Sequence, residues 1–308
     1  MSLLTIGTVA FDDIETPYGK AERVVGGAAL YAGLAASYFT PKIQLVSVIG
    51  EDYDDKTLQL LRDRGVDIDG IEVVKGGKSF FWAGKYHTNM NSRDTLTTEL
   101  NVLADFNPIL PEKYKNAEFV LLGNLTPDVQ MQVINQLTSK PKLIAMDTMN
   151  FWMDIAMDSL KNVLKKIDLL TINEEEARQL SGENSLVKAA KVIHAMGPQF
   201  LVIKKGEHGA LLFHEEGVFF APALPLEEVF DPTGAGDTFA GGFMGYIAAT
   251  GDISFTNMKR AIIYGSAMAS FCVEQFSIKA IENLNKVAIN KRVSEFESLT
   301  RFDTELEW

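Results

Sequence analysis

Short apolar runs separated by segments of helical periodicity constrain this chain more than any other feature. Leu3 to Val9, Ile43 to Ile49, Phe119 to Leu122, Leu143 to Met146, Leu169 to Ile172 and Leu201 to Ile203 lack polar alternation, the pattern of strands covered on both faces. Between them, Ala28 to Phe39, Tyr53 to Arg64, Val129 to Leu137 and Leu186 to Met196 read as amphipathic helices. This alternation predicts an α/β fold: a doubly wound, mostly parallel sheet with flanking helices. Ligands of such sheets collect beyond the carboxyl ends of the strands, where Asn124, Asp147, Asn173 and Lys204 are expected to stand.

One region breaks the rhythm. Ser79 to His87 alternates in character, polar Thr88 to Asp94 follows, and Thr95 to Val102 completes the stretch. Together with Ile14 to Val25 it predicts a small antiparallel sheet with one covered face, a lid made of segments 14–25 and 79–102. No low-complexity linker or internal repeat marks a second unit, so residues 1–308 are expected to form a single domain. A formal charge of -12 opposes binding to nucleic acid or an anionic membrane. No apolar stretch approaches the ~20 residues of a membrane helix, and Met1 to Gly7 lacks a basic region or cleavage pattern, which makes the cytoplasm the expected location. The single cysteine, Cys272, lies in an apolar run and reads as a buried structural thiol.

The chemistry concentrates in Asp231-Pro232-Thr233-Gly234-Ala235-Gly236-Asp237, followed at once by the helix-like Thr238 to Met244. Small residues admit backbone amides close to a phosphate, and a helix starting there aims its unpaired N–H groups at the same anion. Capping alone also produces Gly-Ala-Gly turns with a first-turn acid. A carboxylate repels a neighbouring phosphate unless it has a task, such as taking a proton from an attacking hydroxyl, so Asp237 suggests phosphoryl transfer while the capping reading stays open. No Gly-x-x-x-x-Gly-Lys-Ser/Thr loop and no His-Glu-x-x-His spacing occurs.

This heptapeptide and its continuation resemble, at every position, the second signature of the ribokinase-like (PfkB) carbohydrate kinases, and the resemblance extends over nearly the whole chain. It implies that Asp237 is the general base, that the amides of Gly234, Ala235 and Gly236 form an anion hole, that ATP with Mg2+ is the donor, and that the lid closes over the substrate. Gly7 to Asp13 resembles the family's first strand and loop, which implies that Asp12 binds substrate hydroxyls. Gly26-Gly27-Ala28-Ala29-Leu30-Tyr31-Ala32 is similar to the first signature, with Gly26 and Gly27 approaching substrate oxygens. Tyr31 stands where the family usually has Asn; it either stacks on a substrate ring or fills the core. Asn124 is a further substrate candidate at the sheet edge.

Asn173-Glu174-Glu175-Glu176 resembles the Asn-x-x-Glu motif, placing Asn173 beside the nucleotide and Glu176 on magnesium waters, although acids there also complement a helix dipole. Lys204 to Ala210 resembles the loop approaching the nucleotide, with Lys204, Gly206 and Gly209 in contact. Ser266 falls where relatives meet adenine. Phe271 to Ser277 resembles a loop that helps hold a monovalent cation; Asp231 and Thr233 would offer oxygens to K+, but Ser277 stands where Gly is common. Arg93, in the lid, is a candidate phosphate clamp. The expected function is ATP-dependent phosphorylation of a hydroxyl of a sugar or related polyol. The alternatives are a nucleoside acceptor, with Trp82, Tyr86 and Tyr31 as stacking surfaces, and a catalytically silent metabolite-binding relative. A homodimer through the lid is the expected assembly.

Overall fold

The computed structural model describes residues 1–301. At its centre runs β1 (Leu3–Ile6), whose four residues are all buried. Side chains alternate across the sheet, so Leu3 enters the core on one face while Leu4 and Ile6 enter the core on the other. β4 (Ile43–Gly50) and then β5 (Val66–Val74) flank β1 on one side; β8 (Phe119–Leu122), β9 (Leu143–Asp147), β10 (Leu169–Asn173) and β11 (Phe200–Lys204) follow on the other, all parallel. The hairpin β12 (Ala210–His214) and β13 (Gly217–Ala221) closes that flank antiparallel, completing a nine-stranded sheet.

Helices cover both faces. α1 (Ala28–Ala36), α8 (Ala235–Thr250) and α9 (Phe255–Cys272) pack on one; α3 (Pro127–Gln136), α5 (Met157–Leu164), α6 (Glu174–Ser181) and α7 (Leu186–His194) pack on the other. α2 (Asp55–Asp63), the short α4 (Asn150–Ile155) and α10 (Lys286–Thr300) complete the set. α1 was expected to be amphipathic, yet all nine of its residues are buried, because it is enclosed between the sheet and α8. The α1–α8 approach is very close: a Cβ on Gly241 would lie 2.3 Å from the Ala32 carbonyl oxygen. That contact fixes where α8 begins, and with it the turn before it.

The strand expected over Leu3 to Val9 stops at Ile6 because the next residues serve α1. The Thr8 hydroxyl accepts the Ala28 N–H at 2.9 Å and its carbonyl accepts the Ala29 N–H at 2.9 Å. The lid contains β2 (Ala10–Thr16), β3 (Gly19–Gly26), β6 (Phe80–Tyr86) and β7 (Arg93–Glu99), in the order β3-β2-β6-β7. It is mixed rather than antiparallel: β2 and β6 pair in parallel from Ala10 with Phe80 to Glu15 with Lys85. Both strands leave the body of the molecule and occupy the centre of the lid, while the returning strands β3 and β7 form its edges.

Candidate active site

The turn before α8 is set from below. Gly234 caps the helix with φ 75°, and a Cβ there would lie 2.4 Å from the Tyr31 ring, so only glycine fits on both counts. Tyr31 is 1 % exposed; it supports the turn from inside the core and offers no stacking face, which corrects the expectation of a substrate contact. Its hydroxyl has no partner, an omission that costs on the order of 1–3 kcal/mol. Ala235 returns its N–H to the Pro232 carbonyl at 3.2 Å. The amides of Gly234 and Gly236 therefore remain the free donors of the expected anion hole, while that of Ala235 is committed to the turn.

An ammonium reinforces this end of the helix. Lys204, the last residue of β11, brings its Nζ to 3.1 Å from where a Gly236 Cβ would stand and pairs with Asp147 of β9 at 2.8 Å. Burial opposes its charge, but the surrounding Asp147, Glu176 and Asp237 carboxylates more than compensate and raise its pKa. Burial, then repulsion from Asp147, lifts Asp237 to about 7, with Lys204 and Arg93 pulling the other way. A carboxyl near neutrality is suited to accept a proton at physiological pH.

Asp12, 5 % exposed on β2, lies across the same space. Burial and the charges of Asp231, Asp237 and Asp13 raise it to about 8. Its Oδ2 occupies the position of a Gly26 side chain, 1.9 Å from a virtual Cβ, which accounts for glycine there. Gly27 caps α1 with φ 98° and faces the Thr8 carbonyl. Ladder partners share a face, so Trp82, paired with Asp12, projects to the same side of the lid. Its indole covers Gly84 and donates from Nε1 to the Thr95 hydroxyl at 3.3 Å, with the Arg93 guanidinium 5.7 Å from the ring. Tyr86 is buried and committed elsewhere, its hydroxyl accepting from Thr233 Oγ1 at 3.1 Å.

Asn124 follows β8 and is fixed by Trp152, whose Nε1 donates to its Oδ1 at 2.8 Å. Asn173 and Glu176 form a reciprocal capping box at the start of α6: each side chain accepts the other's backbone N–H, at 2.8 and 2.7 Å. One Glu176 oxygen remains uncommitted, and burial beside Asp147 raises that carboxyl to about 7. Asp231 receives the Thr233 N–H at 2.8 Å and the Ser277 N–H at 3.0 Å. The Thr233 hydroxyl is turned to Tyr86. Ser277 adopts φ 60°, which explains why glycine suits this position.

Beside the turn lies a cleft of about 480 Å³, a usual size for a small-molecule site. Lys204, Gly206, Gly209, Gly236 and Ser266 line it as expected; Asn173 does not. Sequence reasoning missed two of its walls: the irregular segment from Ala223 to Val229, which has no periodicity to read, and the lid turn Asn89 to Asn91. Among the described residues no group of three or more His, Cys, Asp or Glu side chains is placed to hold a metal.

A carboxylate set at the one point where free amides and an ammonium attract an anion is characteristic of a phosphotransferase that activates a hydroxyl. The family model described as "pfkB family carbohydrate kinase" matches residues 3–283, and the chain belongs to this family. The cytidine kinase of Thermococcus kodakarensis is 32% identical over 251 residues, covering 79% of this chain and 87% of that protein. The fold matches a Burkholderia thailandensis nucleoside kinase in complex with inosine, with TM-score 0.77, 20% identity and coverage of 97% and 99% of the two chains. It also matches an E. coli protein described as a ribokinase II, in complex with ATP and Mg2+, with TM-score 0.78, 19% identity and coverage of 95% and 99%. The protein is an ATP-dependent kinase acting on a sugar or a nucleoside.

Proposed function

We propose that the acceptor is a nucleoside, phosphorylated on its hydroxymethyl group with Asp237 as general base. The observation that carries this reading is the Trp82 platform. Its indole lies on the same face of the lid as Asp12, one strand away, so an acceptor whose ribose hydroxyls bind Asp12 would bring a base over the ring. A free sugar leaves that surface unused, whereas base–aromatic stacking contributes about 1–3 kcal/mol. Similarity to a cytidine kinase and to a nucleoside kinase bound to inosine supports the same choice.

In this mechanism Asp12 accepts bonds from the ribose hydroxyls, and the glycine pair lets the backbone approach them. Asp237 takes the proton of the attacking hydroxyl as its oxygen bonds to the γ-phosphorus. The bond from that phosphorus to the β–γ bridging oxygen breaks, and ADP leaves with the electron pair. The amides of Gly234 and Gly236, with Lys204, hold the charge on the transferring group. An Mg2+ brought with ATP would supply charge neutralisation to the phosphates. Glu176 fits a role on its waters, having a free oxygen and a protonation state that a nearby dication would tip to the anion. No step is assigned to a monovalent cation.

A cytoplasmic location and a homodimer through the lid belong to the same proposal, the latter because β7 is exposed at every residue along a free edge. Sedimentation as a monomer at working concentration would remove the dimer. The test of function is ATP consumption against nucleosides, free sugars and polyols, with product mass and Asp237→Asn as control. Clear preference for free sugars would overturn the nucleoside reading.

A further inference from the structure

The tip of the lid does more than cover the acceptor. Its turn between β6 and β7 reaches the nucleotide loop: Asn91 Nδ2 donates to Glu207 Oε1 at 3.1 Å, and Asn91 Oδ1 lies 2.5 Å from where a Gly206 Cβ would stand. Asn89, Met90 and Asn91 share the walls of the 480 Å³ cleft with Lys204, Gly236 and Ser266. The turn is also braced beyond what a cover requires. Asn89 Oδ1 accepts from the Asn91 N–H, the Ser92 N–H and the Ser92 hydroxyl at 3.2, 3.2 and 2.9 Å. Met90 adopts φ 56°, a conformation that is costly without glycine, and donates its N–H to the His87 carbonyl at 2.9 Å. A second tie, Tyr86 to Thr233, joins the end of β6 to the anion turn.

We propose that this turn is a structural part of the donor site, with Asn91 as a positioning residue that sets the nucleotide loop against bound ATP. The donor cleft is then complete only when the lid is down. These contacts lie on the donor side and are the same whichever acceptor is phosphorylated.

The test uses the full chain with Mg2+ and a non-hydrolysable ATP analogue, without acceptor. Amide exchange is expected to slow in residues 87–92 together with 204–210 and 234–237. Asn91→Ala, an exposed substitution, is expected to weaken analogue binding and raise KM for ATP by about three- to tenfold while leaving kcat and Tm near wild type. Glu207→Ala should do the same, and the double variant should lose less than the sum of the two. Protection confined to 204–210 and 234–237, or an unchanged analogue affinity in both single variants, would overturn the proposal. Neither outcome bears on the nucleoside reading.

Discussion

The anion turn and the inner face of the lid meet at one site but are built in different ways. The turn is determined from beneath: Tyr31 fills the space under Gly234, α8 is held against α1 at Gly241, and Asp231 is fixed by two backbone donors. The lid rests on strand pairing and surface ion pairs such as Glu15 with Lys20 and Lys85, and its outer strand is exposed throughout. Such exposed pairs contribute little, because solvent screens them. On the proposed reading, chemistry is anchored in the core, where a change disturbs the fold, while acceptor choice sits on a surface that tolerates substitution. This separation lets one scaffold serve many acceptors.

The largest effect should come from the rigid half. Asp237→Asn removes the proton acceptor without changing shape, and kcat is expected to fall about a thousandfold, within the range general-base catalysis supplies. Nucleotide affinity should change little, as measured by analogue binding. A variant of near wild-type rate would mean that the turn only binds phosphate, and the contrast with the lid would fail.

Asp12 stands at the junction of the two halves. Asp12→Asn should raise KM for the acceptor about tenfold, since two hydrogen bonds to substrate hydroxyls are weakened. Its effect on stability has the opposite sign. The carboxyl lies at about 8 against an ordinary 3.8, so its contribution to stability is full below the ordinary value and is lost as pH rises through 8. The variant should therefore melt above wild type at pH 8 and lose that advantage near pH 4. Equal melting temperatures at pH 8 would show that the site is not under the electrostatic load described above.

Asp237 gives the pH signature of the core. With the free-enzyme carboxyl near 7, kcat/KM should decline about tenfold per pH unit below that point, since only the ionised form accepts a proton. Raising pH from 7 to 8 should add no more than about twofold. A profile flat down to pH 5 would place the effective base elsewhere.

How much of this was legible in the sequence follows the same division. Strands buried on both faces announce themselves as unbroken apolar runs, and five of the six runs proved to be strands almost to the residue; only the first was shortened, by Thr8 turning to cap α1. The positions of Asp237, Lys204 and the glycine pairs followed from placement at strand ends and helix starts. Pairing direction in the lid was not legible, because it depends on where the chain re-enters the body. Tyr31 was ambiguous for a related reason: whether an aromatic side chain faces a ligand or supports a turn depends on the neighbouring helix, not on its own surroundings in sequence. The contact of Asn91 with Glu207 spans more than a hundred residues and joins two polar loops, neither of which carries a periodic signal.

The finest test falls on the lid alone. Trp82→Ala removes the platform beside Asp12 but leaves the anion turn, Lys204 and the donor cleft untouched. If the base stacks there, KM for a nucleoside should rise about tenfold, equivalent to the lower half of the stacking range, while KM for free ribose and for ATP stays within about twofold. Because Trp82 is also held by Thr95, part of any loss could reflect a disturbed strand; Thr95→Val removes only that hydrogen bond and should leave nucleoside KM close to wild type. Equal losses for nucleoside and ribose in Trp82→Ala would assign the indole to lid packing. Selective loss for the nucleoside would place specificity on the exposed sheet, and a preference among bases would then be sought in the side chains around the ring, beginning with Arg93.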